Sequence, residues 1–325
     1  MSKIWISHTG LSDFKTCKKA YYYKHIYRNP KNNNKIQIVN PYLSLGSAVH
    51  ETIEENKKED LLQRFEKIWL KYKGKKGGFS FKEQEQEFKK RGEKMIKNAQ
   101  KSKILKKPTF PTNGILPKMP LFKNIELVGS IDWIEVLPDN SLHIIDFKTG
   151  KNEEKEDSLQ LFIYYFLAAY NFKKKIKKIS YWYLDKDSEP LPKNLKNLDK
   201  ALSLLKKQAL EIKKTVLNND FICNSGYKNC FHCQEFNDIF SGKAEYVGFD
   251  QRMKKELYYI PKKKDIISKI LKQDFLTEKE KKIFEKRIQG EKASLLTGEK
   301  IKKKLKDNLD NKELRILLTC FKNNL

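Results

Sequence analysis

The stretch GSIDWIEVLPDNSLHIIDFKTGK, residues 129–151, decides how the rest of the chain is read. Apolar residues dominate both sides of a turn, PDNS at 138–141, so the stretch reads as two strands of a hairpin. Alternate side chains of a strand share a face, which turns Asp146 and Lys148 one way and Phe147 the other. Asp132 lies on the preceding strand, and the short turn can bring it alongside. Two carboxylates held together repel unless a divalent cation or a shared proton neutralises them. Oxygen ligands of this kind favour Mg²⁺ or Mn²⁺ over zinc. An exposed hairpin with an ordinary Asp–Lys ion pair is the bland alternative, and such a pair contributes little.

Composition sets the surroundings. The chain has 325 residues, 39% hydrophobic and 12% aromatic, which is enough to bury a core in one large domain or a domain with an appendage. A formal charge of +27 attracts polyanions, chiefly nucleic acid, because neutralised phosphates release counterions. Neither a run of about 18 apolar residues nor a secretory signal stands in the sequence, so we expect a cytoplasmic protein with no membrane partner.

Along the chain, periodicity predicts a helix near residues 7–22, a long helix from Pro41 towards Tyr72, and another from Lys82 to Ala99. Three strands follow between Leu121 and Lys148, then a helix at 158–170, a strand at 178–184 and a helix at 196–218. This order predicts an α/β domain over residues 1–248, with a mixed central sheet flanked by helices. Residues 249–325 read as a basic helical appendage. No Gly-x4-Gly-Lys-Ser/Thr phosphate loop is present, so no ATP motor is expected in this chain.

Several segments stand in a telling order: SHTGLSDFKTCKKAYYYK (7–24), LGSAVHE (45–51), GSID (129–132), IIDFKTGK (144–151) and QLFIY (160–164). Together they resemble the RecB-like exonuclease domain of the PD-(D/E)xK nuclease superfamily, over roughly residues 4–240. The resemblance implies a restriction-endonuclease-like fold. It implies that His50, Asp132 and Asp146 hold Mg²⁺ or Mn²⁺, with the Phe147 backbone carbonyl contributing, and that Lys148 is the catalytic lysine. Gln160 and Tyr164, four apart on one helix face, would contact DNA, or Tyr164 would be core. Glu126, one strand earlier, is a further candidate acid.

The cysteines are Cys17, Cys223, Cys230, Cys233 and Cys320. A Cys-x2-Cys pair with two further thiols can complete a four-thiolate site. The iron–sulfur relatives, including the CRISPR adaptation nucleases, hold a 4Fe–4S cluster with one early cysteine and three late ones, the late set spaced Cys-x2-Cys-x5-Cys. Here Ile239 stands where the last of those would be, and Cys223 precedes the pair instead. Cys17, Cys223, Cys230 and Cys233 are therefore expected to hold a 4Fe–4S cluster, with zinc or no metal as alternatives, while Cys320 reads as a core residue.

The functional expectation is a metal-dependent deoxyribonuclease acting on single-stranded or end-exposed DNA in recombination, repair or CRISPR-type processing. A separate helicase or a recombination or replication protein would be its partner. The alternative is an inactive nucleic-acid-binding accessory subunit with a nuclease fold, against which the intact Asp132, Asp146 and Lys148 count.

Overall fold

The computed structural model of the chain describes residues 3–54, 59–110, 116–223, 225–226, 230–272, 274–288, 295–310, 313–314 and 317. In chain order its first half comprises β1 (Ile4–Ile6), α1 (His8–Thr16), α2 (Lys18–Tyr21), β2 (Lys35–Ile38), α3 (Pro41–Glu54), α4 (Leu61–Trp69), α5 (Lys82–Lys101), β3 (Lys118–Phe122), β4 (Ile125–Val128), β5 (Trp133–Val136) and β6 (Leu142–Lys148). Then come α6 (Gln160–Phe172), β7 (Ile176–Tyr183), β8 (Leu191–Pro192), α7 (Leu198–Leu217), α8 (Phe231–Phe240), β9 (Glu245–Asp250), β10 (Lys255–Tyr259), α9 (Lys263–Lys272), α10 (Glu278–Ile288) and α11 (Leu295–Asn308).

The hairpin at 129–151 forms as its pattern requires. Strands β5 and β6 pair antiparallel, Trp133 opposite Ile145 and Val136 opposite Leu142. On its other edge β6 pairs parallel with β7, and β8 completes the sheet in the order β5-β6-β7-β8. A strand covered on both faces reads as a nearly continuous apolar run, and every residue of β6 except Lys148 is buried. Leu142 and Ile144 pack towards α6 and α7, with Leu161, Leu167 and Leu205. Ile145 and Phe147 pack the opposite way, against Val49, Phe65 and Met95 of α3, α4 and α5. The result is a helix–sheet–helix sandwich in which β6 is central.

Two local details aim α3 at the end of β6. Gly46 lets the helix approach the loop after the strand closely; a Cβ there would lie 3.3 Å from Thr149 Oγ1. One helical turn later, the His50 ring meets Phe147 edge-on, with centroids 5.7 Å apart.

The expected mixed central sheet is β5-β6-β7-β8, and among the described residues two further three-stranded sheets, β1-β4-β3 and β2-β10-β9, accompany it. The structure departs from the sequence reading in two places. The expected long helix from Pro41 is two helices, α3 and α4, and Asp60 caps the second by accepting from the Leu62 and Gln63 amides. The boundary expected at 248/249 falls inside β9, and 255–259 is a strand instead of helix. Its sequence KELYY satisfies a sheet because β10 pairs parallel with β2, more than 200 residues upstream. Beyond it, α9, α10 and α11 gather a small core of their own around Ile266, Ile270, Phe284, Ile301 and Leu305. That unit is tied to the sandwich by the Lys75–Asp310 and Lys272–Glu87 ion pairs.

Candidate active site and thiol cluster

At the carboxyl end of β6, side chains from four segments converge. Asp132, just before β5, accepts a hydrogen bond from the Phe147 backbone amide (2.8 Å), which locks the two strands at this point. Its other oxygen lies 3.4 Å from His50 Nδ1, and Glu54, one turn further along α3, lies 3.6 Å from the same nitrogen. The ligating atoms of His50, Glu54 and Asp132 all fall within 4.8 Å of one another, a spacing that could hold a metal ion.

Asp146 occupies the neighbouring position. One carboxylate oxygen accepts from Gln160 Nε2 (2.8 Å). The other is buried and forms an ion pair with Lys148 Nζ at 3.0 Å. Burying a carboxylate beside a second one is costly, and a single ion pair offsets that cost only in part, so a further cation would be favoured here. This buried carboxylate, beside the His50, Glu54 and Asp132 donors, fits a divalent cation. Burial pushes the Asp146 carboxyl up to about 7, the Asp132 charge adds to this, and Lys148 and His50 offset it only in part. Burial by itself would lower the pKa of His50; Asp132 and Glu54 overcome it and hold the imidazole well above its usual value. Burial likewise works against the charge on Lys148, but Asp146 and Glu154, the latter 3.0 Å away, keep it an ammonium.

Gln160 and Tyr164, expected as DNA contacts, are 9% and 8% exposed. Gln160 bridges Asp146 and Lys148 and donates to the Tyr164 hydroxyl (3.2 Å), so the helix supplies a bracket for the strand's charged residues. Burial, with Asp146 and Asp132 beside it, keeps the Tyr164 phenol protonated. Glu126 stands apart from the site, on the β1-β4-β3 sheet, paired with Lys3 at 2.6 Å.

Three participants escaped the sequence reading. Glu54 was open to it, being four residues after His50 on one helix. Glu154 and His8 reach the site through tertiary placement alone. Burial lowers the pKa of His8, and the charge of Lys148 lowers it further, which marks this residue at the start of α1 as a neighbour of the lysine.

The thiols gather elsewhere. Cys17, Cys223, Cys230 and Cys233 are all buried, and their sulfurs lie within 4.8 Å of one another. Cys17 and Cys233 are 3.8 and 3.6 Å from Cys223. Burial raises the Cys17 thiol, whereas at Cys230 the backbone amides of Cys233 and His232 outweigh burial and draw the thiol down to about 7. Such a set is compatible with an iron–sulfur cluster and with zinc, and it stitches α2 to α8. Cys320 lies outside the described residues.

A family model of the PD-(D/E)XK nuclease superfamily matches residues 5–239, which takes in β1 through most of α8. The chain belongs to that superfamily. No curated protein matches it. PD-(D/E)XK nucleases use divalent metals, and both the acid–histidine group and the thiol group of this member could bind one. The mixed α/β architecture accords with a restriction-endonuclease-like fold. Among the described residues, no helix is long and apolar enough to cross a membrane.

Proposed function

We propose that this PD-(D/E)XK nuclease hydrolyses phosphodiester bonds of DNA, acting on single-stranded or end-exposed substrates with Mg²⁺ or Mn²⁺. The observation that carries the reading is the buried, under-compensated Asp146 carboxylate beside Asp132, His50 and Lys148. His50, Asp132, Asp146 and the Phe147 carbonyl would hold the cation, with Glu54 as a further ligand. When bound, the cation supplies Lewis acidity and a water of lowered pKa. Lys148 stays charged and offsets the anion that develops on the phosphoryl group. Gln160 fixes Lys148 and Asp146 relative to each other, and Tyr164 supports Gln160. The net charge of +27 supports a polyanionic substrate. A cytoplasmic setting in recombination, repair or CRISPR-type processing, with a separate helicase or recombination protein as partner, completes the proposal.

The thiol group would act as a metal clamp between the two ends of the nuclease region. The family resemblance favours a 4Fe–4S cluster. The sulfur spacings of 3.6 and 3.8 Å favour a second reading, one tetrahedral zinc, because four thiolates at about 2.3 Å from one ion lie about that far apart. Metal and acid-labile sulfide analysis of anaerobically purified protein separates the two.

The test of the nuclease reading compares wild type with Asp146→Asn on end-labelled single-stranded and duplex DNA, with Mg²⁺, Mn²⁺ or EDTA. Cutting that requires the cation and vanishes in the variant is the expected result. Tight DNA binding by wild type with no cutting under any metal would replace the proposal with a non-catalytic accessory subunit.

A further inference from the structure

Beyond the acid–histidine group the surface opens into two cavities of about 510 and 670 Å³. Both are lined by Gln37, Leu43 and Met253, so they adjoin beside the tip of the β9–β10 hairpin as two halves of a trough. One end holds His50 and Glu54. The other holds Phe231, 85% exposed, flanked in sequence by Cys230 and Cys233 of the thiol group. The hairpin lies beyond residue 239, outside the region the family model matches.

The cations of the trough divide into two kinds. Lys24, Lys71 and Lys262 are neutralised by Asp13, Glu51 and Glu235. Lys35 and Lys255 are not. They stand side by side in register on the parallel strands β2 and β10, and among the described residues neither has a carboxylate in ion-pair contact. Lys255 donates only to Gln37 Oε1 (2.7 Å), while Asp250 faces it from β9. Like charges directly opposite on neighbouring strands destabilise a sheet, and burial lowers the pKa of both. An anion lodged between them would relieve the repulsion. Arg252 and Met253, exposed at the hairpin tip, add a further cation and an apolar contact along the same line.

We propose that the trough carries a single strand of DNA to or from the metal site, with Lys35 and Lys255 seating a backbone phosphate and Phe231 stacking on a base. The acids close to the metal site and the unpaired lysines beyond it suit one chain of regularly spaced phosphates. An exposed aromatic beside unpaired cations is the combination that binds unpaired bases without regard to sequence. The thiol group fixes the position of Phe231 from both sides. This inference rests on the nuclease reading for its direction only, since a strand could be bound here by an inactive protein.

The test uses the full chain carrying Asp146→Asn, so that DNA is bound without being cut, and follows anisotropy of a labelled oligo(dT) across a salt series. Lys35→Gln with Lys255→Gln is expected to weaken binding about tenfold at 0.1 M salt and to flatten the dependence of log affinity on log salt by roughly 0.7 per phosphate lost. Phe231→Ala is expected to weaken binding roughly five- to a hundredfold with the salt slope unchanged. It should also abolish quenching of a 2-aminopurine base placed in the oligonucleotide. Retained thiol-site metal and an unchanged melting temperature show that each variant folds. Unchanged affinity in both variants would overturn the proposal even if the wild type cuts DNA. Equal binding of duplex, or tighter binding of oligo(U) through the same residues, would overturn the commitment to single-stranded DNA. Loss of binding in these variants of a protein whose wild type never cuts would uphold the trough and sink the nuclease.

Discussion

Two histidine–carboxylate groups gather along β6, and they behave oppositely. Towards the middle of the sheet, Glu135 and His143 face each other across the strand pair. Glu135 accepts from Lys107 (2.7 Å) and pairs with His143 Nδ1 (2.8 Å), and His143 Nε2 meets Ser180 Oγ at 2.7 Å. Every polar tip has a partner, and all but Lys107 are buried. At the other end of β6, Asp132 and Asp146 sit beside each other with His50 and Lys148, and His50, with Glu54, lines a cavity. The pKa shifts mirror the difference. Burial alone would raise Glu135, yet Lys107 and His143 bring it below its usual value; Asp146, with too little compensation, rises to about 7. The serine, histidine and glutamate of the first group are the residue types of a hydrolase triad, but the group is closed and holds the sheet together. Residue type does not separate the two groups; how far the surrounding charges offset burial does.

The comparison can be broken by mutation. The largest effect should come from Asp146→Asn: activity on DNA falls at least about a hundredfold, the scale of removing a central electrostatic group, while metal-free stability rises or holds. Glu135→Ala should do the reverse. It strands the His143 ring and costs about 3–5 kcal/mol in chemical denaturation, with kcat of the folded protein unchanged. If Glu135→Ala abolished kcat without loss of stability, the division between the two groups would fail.

A smaller effect concerns pH. Folded Asp146 and His50 both bind protons more tightly than they do unfolded, about 7 against 3.8 for the aspartate and well above 6.5 for the histidine. The Asp146 contribution to metal-free stability is therefore full below about 3.8 and falls as pH rises from there through about 7. The His50 contribution is full up to about 6.5 and is lost only as pH passes its raised folded value. Melting curves without metal should show this decline, and saturating Mn²⁺ should reverse it. Calorimetry in buffers of different ionisation enthalpy should register proton release on metal binding, with affinity rising from pH 6 to 8. The least effect is expected at Gln160→Ala, a loss of roughly tenfold in kcat, since Lys148 keeps Glu154 and Asp146 as partners.

The parts legible in the sequence are those whose signal is local. The alternation of LHIIDFK disclosed β6, the face shared by Asp146 and Lys148, and the neighbourhood of Asp132, because strand period and a short turn settle all three. Glu54 was within reach of the same kind of reasoning. By contrast, KELYY is rich in lysine and glutamate neighbours and reads as helix in isolation. It becomes β10 because β2 offers a parallel edge, a contact no window of sequence contains. Gln160 and Tyr164 were found by motif spacing, but that they turn inward to Asp146 depends on how α6 lies on the sheet. Cys223 joins Cys17 across 206 residues for the same reason.

The pairing of β10 with β2 has a consequence in time as well as in space. Residues 35–38 leave the ribosome long before 255–258, so the edge of β2 has no neighbour on that side for most of synthesis. The wall opposite His50 is then built last, after the sandwich that carries Asp132 and Asp146. A chain halted before residue 255 would hold its acids in place with half a trough around them. Maturation of this protein would be timed by the arrival of one late strand.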